Sequence, residues 1–99
     1  MIFAKIIYSD HSDEIHQPLV DCLQDKYPDL QCGHQGDSWI WITEGDQKVE
    51  IDTFYAMYHE VRSATDSPLV WSVLEQLDAD FDLVIIDPPE EDPADTHYE

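Results

Sequence analysis

Ile2-Phe3-Ala4-Lys5-Ile6-Ile7-Tyr8 is an almost unbroken run of apolar, β-favouring residues ending at Ser9-Asp10. That is the pattern of a largely buried strand, which belongs in the middle of a sheet. Ile15, Leu19, Cys22 and Leu23 then recur at helical spacing and predict a helix over about residues 13–26, with one apolar stripe turned to the core. Pro18 fits such a helix only within its first turn. Tyr27-Pro28-Asp29 ends it, and Gly33, Gly36 and Asp37 mark a loop before the next strand. Trp39-Ile40-Trp41-Ile42-Thr43 and Val49-Glu50-Ile51-Asp52, joined around Glu44-Gly45-Asp46, predict a β-hairpin. The alternation continues through Phe54, Ala56 and Tyr58 toward Val61, although residues 55–62 suit a helix equally.

Ser67-Pro68 supplies an N-cap and a first-turn proline, with Leu69, Val70, Val73, Leu74 and Leu77 as the stripe of a second helix. Phe81-Asp82-Leu83-Val84-Ile85-Ile86 is a last strand, and the following Asp87-Pro88-Pro89-Glu90-Glu91-Asp92-Pro93 cannot join a sheet interior. In chain order this is βαββαβ. The expected fold is therefore an α+β, ferredoxin-like sandwich with two helices on one face of a four-stranded antiparallel sheet. Residues 1–87 form its one domain, and residues 88–99 are a flexible, acidic, proline-containing tail.

A chain of 99 residues has room for one core, and its 42% hydrophobic residues, with three Trp, five Tyr and three Phe, suffice to fill it. Charge changes the picture. There are 23 acids against Lys5, Lys26, Lys48 and Arg62, a formal net charge of −19. Solubility asks for a magnitude of only about 2–8 in a small domain. Such a surface repels phosphates, which excludes direct nucleic-acid binding and anionic membranes and makes a basic protein the complementary partner. No apolar run approaches the roughly 18 to 20 residues of a membrane span, and Met1-Ile2-Phe3-Ala4-Lys5 has no signal-peptide pattern. The expectation is a cytoplasmic protein of a bacterial host cell, monomeric or homodimeric, with Cys22 and Cys32 as reduced thiols.

Candidate chemistry is sparse. Phe81-Asp82-Leu83-Val84-Ile85-Ile86-Asp87-Pro88-Pro89 resembles the strand and Asp-Pro-Pro motif of some adenine and guanine N-methyltransferases. Those enzymes need a glycine-rich cofactor loop and a longer sheet, and Glu90 stands where an aromatic residue usually follows the prolines. The segment reads as a buried strand ending at a proline break. Acylphosphatases share the inferred fold and length, but Ile7-Tyr8-Ser9-Asp10-His11 offers no basic phosphate cradle. Asp10, His11, Asp13 and His16, with Cys32 and His34, match no zinc spacing and read as solvated side chains. No nucleophile, metal or cofactor site emerges, and the chain reads as a binding protein rather than an enzyme.

The acids are therefore the main evidence. Six of the 23 lie between Asp87 and Glu99, which leaves the body 17 acids against four bases. Asp21 and Asp25 stand four apart on the first helix, with Glu14 on a neighbouring face, a like-charge spacing that destabilises a helix. At 1.5 Å rise per residue such carboxylates recur about every 6 Å, comparable to phosphates along a strand of nucleic acid. Glu44, Glu50 and Asp52 on the hairpin and Asp78, Asp80 and Asp82 before the last strand suggest similar rows, with Trp39 and Trp41 on one strand face as anchors. In size and charge the chain is similar to the small acidic DNA-mimic proteins, including phage anti-CRISPR and anti-restriction inhibitors. That resemblance implies an inhibitor that fills the basic DNA-binding surface of a bacterial defence complex and blocks target DNA. The alternatives are an immunity protein against a nuclease toxin, a salt-adapted ferredoxin-like domain and a small ferredoxin-like enzyme.

Overall fold

A computed structural model describes residues 1–9 and 11–91. In chain order the elements are β1 (Ile2–Ile7), α1 (Ser12–Gln24), β2 (Gln31–Gln35), β3 (Asp37–Glu44), β4 (Gln47–Asp52), β5 (Glu60–Arg62), α2 (Pro68–Asp78) and β6 (Asp82–Glu90). All pairings are antiparallel, and the sheet has six strands in the order β2-β3-β4-β5-β1-β6. The class is α+β, but the fold is not the four-stranded ferredoxin-like sandwich expected from the sequence. Residues 31–62 form a four-stranded meander, and its last strand pairs with β1.

Two strands make the difference. Gln31-Cys32-Gly33-His34-Gln35 lacks apolar alternation because β2 is an edge strand and buries little. It folds back on β3 through Gly36, whose φ of +80° a non-glycine residue rarely adopts. At Gly33 the Trp39 indole lies across the backbone so closely that a Cβ would sit 2.5 Å from its ring. β5 occupies only the end of the ambiguous segment, and residues 53–59 are a non-helical loop. The predicted first helix runs through Pro18, well past its first turn. That proline cannot donate to the Glu14 carbonyl, a lost bond that its solvent-facing position tolerates. The last strand extends to Glu90, three residues beyond the expected domain end, and as an edge strand it accommodates Pro88 and Pro89. The remainder of the expected tail, residues 92–99, lies outside the described residues.

Alternation sorts the sheet into two faces. Ser38, Ile40 and Ile42 of β3, Val49 and Ile51 of β4, Val61 of β5 and Ala4 and Ile6 of β1 point to the side covered by both helices. There they meet Ile15, Leu19 and Leu23 of α1 and Leu69, Val70, Val73, Leu74 and Leu77 of α2 in one continuous core. The opposite, open face carries Trp39, Trp41, Lys48, Glu50, Asp52, Glu60, Arg62 and Lys5, all in cross-strand register.

Polar groups on that open face are nevertheless buried. Arg62 Nη2 donates to both Asp52 and Glu50, and the Tyr55 ring of the 53–59 loop lies 5.0 Å from its guanidinium carbon. Asp52 is fully buried, which pushes its carboxyl above the usual range, while Arg62 and the Phe54 N–H pull it back. Removing one partner of a buried pair strands the other charge. Arg62→Ala should therefore destabilise the fold by about 3–5 kcal/mol in urea melts, whereas Lys26→Ala, on an exposed position, should change it by less than about 0.5 kcal/mol.

Candidate functional site

The fold disperses the expected rows of carboxylates. Asp52 is sealed within the sheet and Glu50 is half-buried against Arg62, so neither is an outward contact. Glu44 is exposed but belongs to the other strand face, opposite Gln47. Asp78, Asp80 and Asp82 separate just as widely, because the chain turns between α2 and β6. Asp78 borders the groove between α2 and β6, Asp80 faces α1, and Asp82 pairs with Ile7 at the start of β6. Trp39 and Trp41 do share one face, with ring centroids 4.5 Å apart, but they are half-buried and Lys48 sits 4.0 Å above the Trp41 ring.

One acidic group does come together. Asp21 and Asp25 of α1 and Asp80 after α2 line a groove with Pro18, Cys22, Gln76 and Phe81. Cys22 and Gln76 form its floor. The Gln76 amide donates to the Cys22 carbonyl at 2.9 Å, and the Cys22 thiol donates to the Gln76 carbonyl at 3.5 Å, tying α1 to α2. Burial, reinforced by Asp80 and Asp25, pushes the Cys22 thiol up to about 11, so it stays protonated and packs as a small core residue. Cys22 and Cys32 are both free. Gln17 donates to Asp21 at 2.9 Å and fixes one wall of the groove.

The acids at the two ends of the helices differ in their effect on helix stability. Glu14 and Asp13 lie in the first turn of α1, where the macrodipole favours a carboxylate. Asp25 caps the C-terminus of α1 and Asp78 ends α2, where it disfavours one, and neither helix has a basic residue in its last turn.

Charge is segregated among the described residues. Arg62, Lys5 and Lys48 belong to the open face, and Lys5 and Lys48 lie over the Tyr58 and Trp41 rings. Lys26, over Tyr27, is the lone base of the helical side. Among the described residues sixteen carboxylates are exposed against two exposed lysines, Lys26 and Lys48. The helical side is consequently the anionic one.

A second polar group lies outside the expected site. Ser38 Oγ sits 2.8 Å from His59 Nε2 and 2.5 Å from His16 Nδ1, while His59 Nδ1 lies 2.8 Å from the Tyr8 hydroxyl. His16 stacks on His34 at 4.6 Å, and His34 Nε2 lies 3.0 Å from Asp13. The chain is satisfied in either direction. Tyr8 donates to His59, His59 to Ser38 and Ser38 to His16, or each bond reverses with the opposite imidazole tautomers. Both forms need a neutral His59, and the first needs a neutral His16 as well. Burial pushes His59 down to about 4, helped by His16 and His34, and burial followed by the charge of His34 lowers His16.

Ser38 and His59 have the spacing of a nucleophile and its base, but Ser38 is almost completely buried. Its hydroxyl instead locks β3 to α1 and to the segment leading into β5. The signal lay in the alternation itself, since Ser38 occupies an inward position before Ile40 and Ile42, and His16 follows Ile15 on the buried side of α1. Of the candidate metal ligands, Asp10 lies outside the described residues. Among the described residues no three His, Cys, Asp or Glu side chains are arranged to hold a metal ion. Among them, too, no helix is long and apolar enough to cross a membrane.

No protein-family model, curated protein or solved structure matches this chain.

The histidine chain has a pH signature. An unfolded His59 binds a proton near 6.5 and the folded one only near 4, so its contribution is full above pH 6.5 and is lost as pH falls toward 4. Over that interval the loss approaches about 3 kcal/mol. His59→Gln should be destabilised at pH 7.5 and should have a much flatter urea-melt stability between pH 6.5 and 4.5 than the parent protein.

Proposed function

We propose that this protein is an acidic inhibitor that imitates nucleic acid. The carboxylates of its helical side occupy a basic nucleic-acid-binding surface on another protein and keep the nucleic acid out. The observation that carries this reading is the segregation of charge. The open face holds three of the four bases, which leaves Glu14, Asp21, Asp25, Glu75, Asp78 and Asp80 on a side where Lys26 is the only cation. Acids at the C-terminal ends of both helices weaken those helices, so stability does not account for their placement.

The contact surface is centred on α1 and α2 rather than on the hairpin. Asp52 and Glu50 are structural, and Trp39 and Trp41 lie on the less acidic face. A bacterial defence complex that holds DNA in a basic channel is the kind of target such a surface fits. Electrostatic steering would give fast association that weakens with salt.

A competition assay with fluorescent duplex DNA bound to a CRISPR effector or restriction complex tests this reading. The protein should displace the DNA, and its apparent affinity should fall steadily as salt is raised. The triple change Asp21→Asn, Asp25→Asn, Asp80→Asn should weaken displacement about tenfold or more while raising the melting temperature by a few degrees, since it removes repulsion at the helix ends. Undiminished displacement by the triple variant, or no binding to any basic DNA-binding complex at low salt, would rule the reading out.

A further inference from the structure

β6 contradicts its own sequence. Leu83-Val84-Ile85-Ile86 is a continuous apolar run, the mark of a strand covered on both faces and flanked on both edges. Yet among the described residues β6 is the last strand of the sheet and pairs with β1 alone. Large apolar side chains are exposed on both of its flanks. On the helical side Ile85 and Trp71 are 46% and 45% exposed and, with Leu74 and Leu83, line a groove between α2 and β6. On the open side Val84 and Ile7 are 48% and 49% exposed. Edge strands are normally blunted by lysine, early proline or a covering loop. Here β6 has no lysine, and its prolines come only at positions 88 and 89.

We infer that β6 is the docking edge for an extended segment of a partner protein in which basic and aliphatic residues alternate, added as a seventh strand. Charge selects that occupant. Glu75 and Asp78 border the groove, and Asp82, Asp87 and Glu90 are exposed along the strand. A second copy would bring the same carboxylates against each other, and residues 92–99 of this chain, with Asp92, Asp95 and Glu99, are acidic as well. In an added strand alternate side chains fall on opposite faces. The basic ones lie along the helical-side groove, their methylene stems crossing Trp71 and Ile85 while their charges reach Glu75 and Asp78. The aliphatic ones cover Val84 and Ile7 on the open side, where Lys5 stands across from Val84.

This inference rests on the protein being a binder of basic partners, and the test separates the two. Its probes are a nine-residue peptide of alternating lysine and valine, an oligolysine of equal charge, and the lysine–valine peptide N-methylated at alternate amides. Isothermal titration at fixed salt should give about tenfold tighter binding of the lysine–valine peptide than of oligolysine. N-methylation should abolish that advantage. So should Val84→Glu, Ile85→Glu in the protein, although it adds negative charge and would strengthen a purely electrostatic complex. Circular dichroism melts verify that this double variant folds; if it does not, the N-methylated peptide against the unaltered protein decides the question. Equal affinity for all three peptides overturns the docking edge and leaves the acidic-binder reading intact. No binding of any basic peptide overturns both. A dimer in sedimentation equilibrium that Val84→Glu, Ile85→Glu dissolves makes the occupant a second copy and overturns the choice of partner.

Discussion

With one arginine against 23 acids, the chain commits that arginine to its interior. Arg62 lies on the three-residue strand β5, facing Glu50 on β4 and bonding both Glu50 and Asp52. The electrostatic gain within such a pair is largely offset by desolvation, so its main effect is conditional: once Asp52 is buried, Arg62 must accompany it. The Tyr55 ring covers the pair, and the 53–59 loop that carries Tyr55 is what delivers β5 to its place between β4 and β1. The distribution of charge elsewhere follows. Lys5 and Lys48 join Arg62 on the open face, so the acids of the helical side have almost nothing to neutralise them.

Repulsion among those acids opposes compaction, and the folded chain answers it with two kinds of internal tie. One is apolar, the single core shared by both helices and the inner face of the sheet. The other is the polar chain from Tyr8 through His59 and Ser38 to His16, which joins the end of β1, the entry to β5, the start of β3 and α1. Ser38 Oγ and both ring nitrogens of His59 have geometric partners, so groups that would be costly to bury alone become specific contacts between distant segments. Lowering the pH acts on the two features in opposite directions. It relieves carboxylate repulsion at the surface while it forces protons onto imidazoles that are buried neutral.

Elements whose pattern is written in apolar periodicity were legible in the sequence. β1, α1, the β3–β4 hairpin, α2 and the start of β6 follow from it, as do the inward positions of Ile40, Ile42, Val49 and Ile51. What it could not convey was pairing. β2 is polar throughout and becomes a strand only because β3 offers a partner. β5 is too short for a period to register, and its insertion between β4 and β1, with β2 added at the edge, turns a ferredoxin-like order into a meander. The candidate site divided for the same reason. Asp21 and Asp25 are related by helical spacing and stayed together on one exposed face. Glu44, Glu50 and Asp52 are close in sequence, yet the period of two along a strand sends Glu44 to the other face and Asp52 into the sheet. The histidine chain joins residues up to 51 positions apart, a relation that no local pattern expresses.

The acidic surface and the apolar edge are two parts of one physical problem. A strand such as β6, exposed at an edge and apolar on both sides, is the kind that pairs with copies of itself. Lysines usually prevent this, and this chain has almost none to spend. Carboxylates on α2 and along β6 serve instead, since any second copy approaching the edge meets the same negative charges. That protection is selective in a way that proline or a covering loop would not be, because a basic chain cancels the repulsion that holds an acidic one away. In the proposed reading, the net charge that keeps the edge from closing on itself is the same charge that admits a basic partner. Glu75 and Asp78, on the helix that borders the edge groove, belong to both features and join the anionic helical side to the open strand.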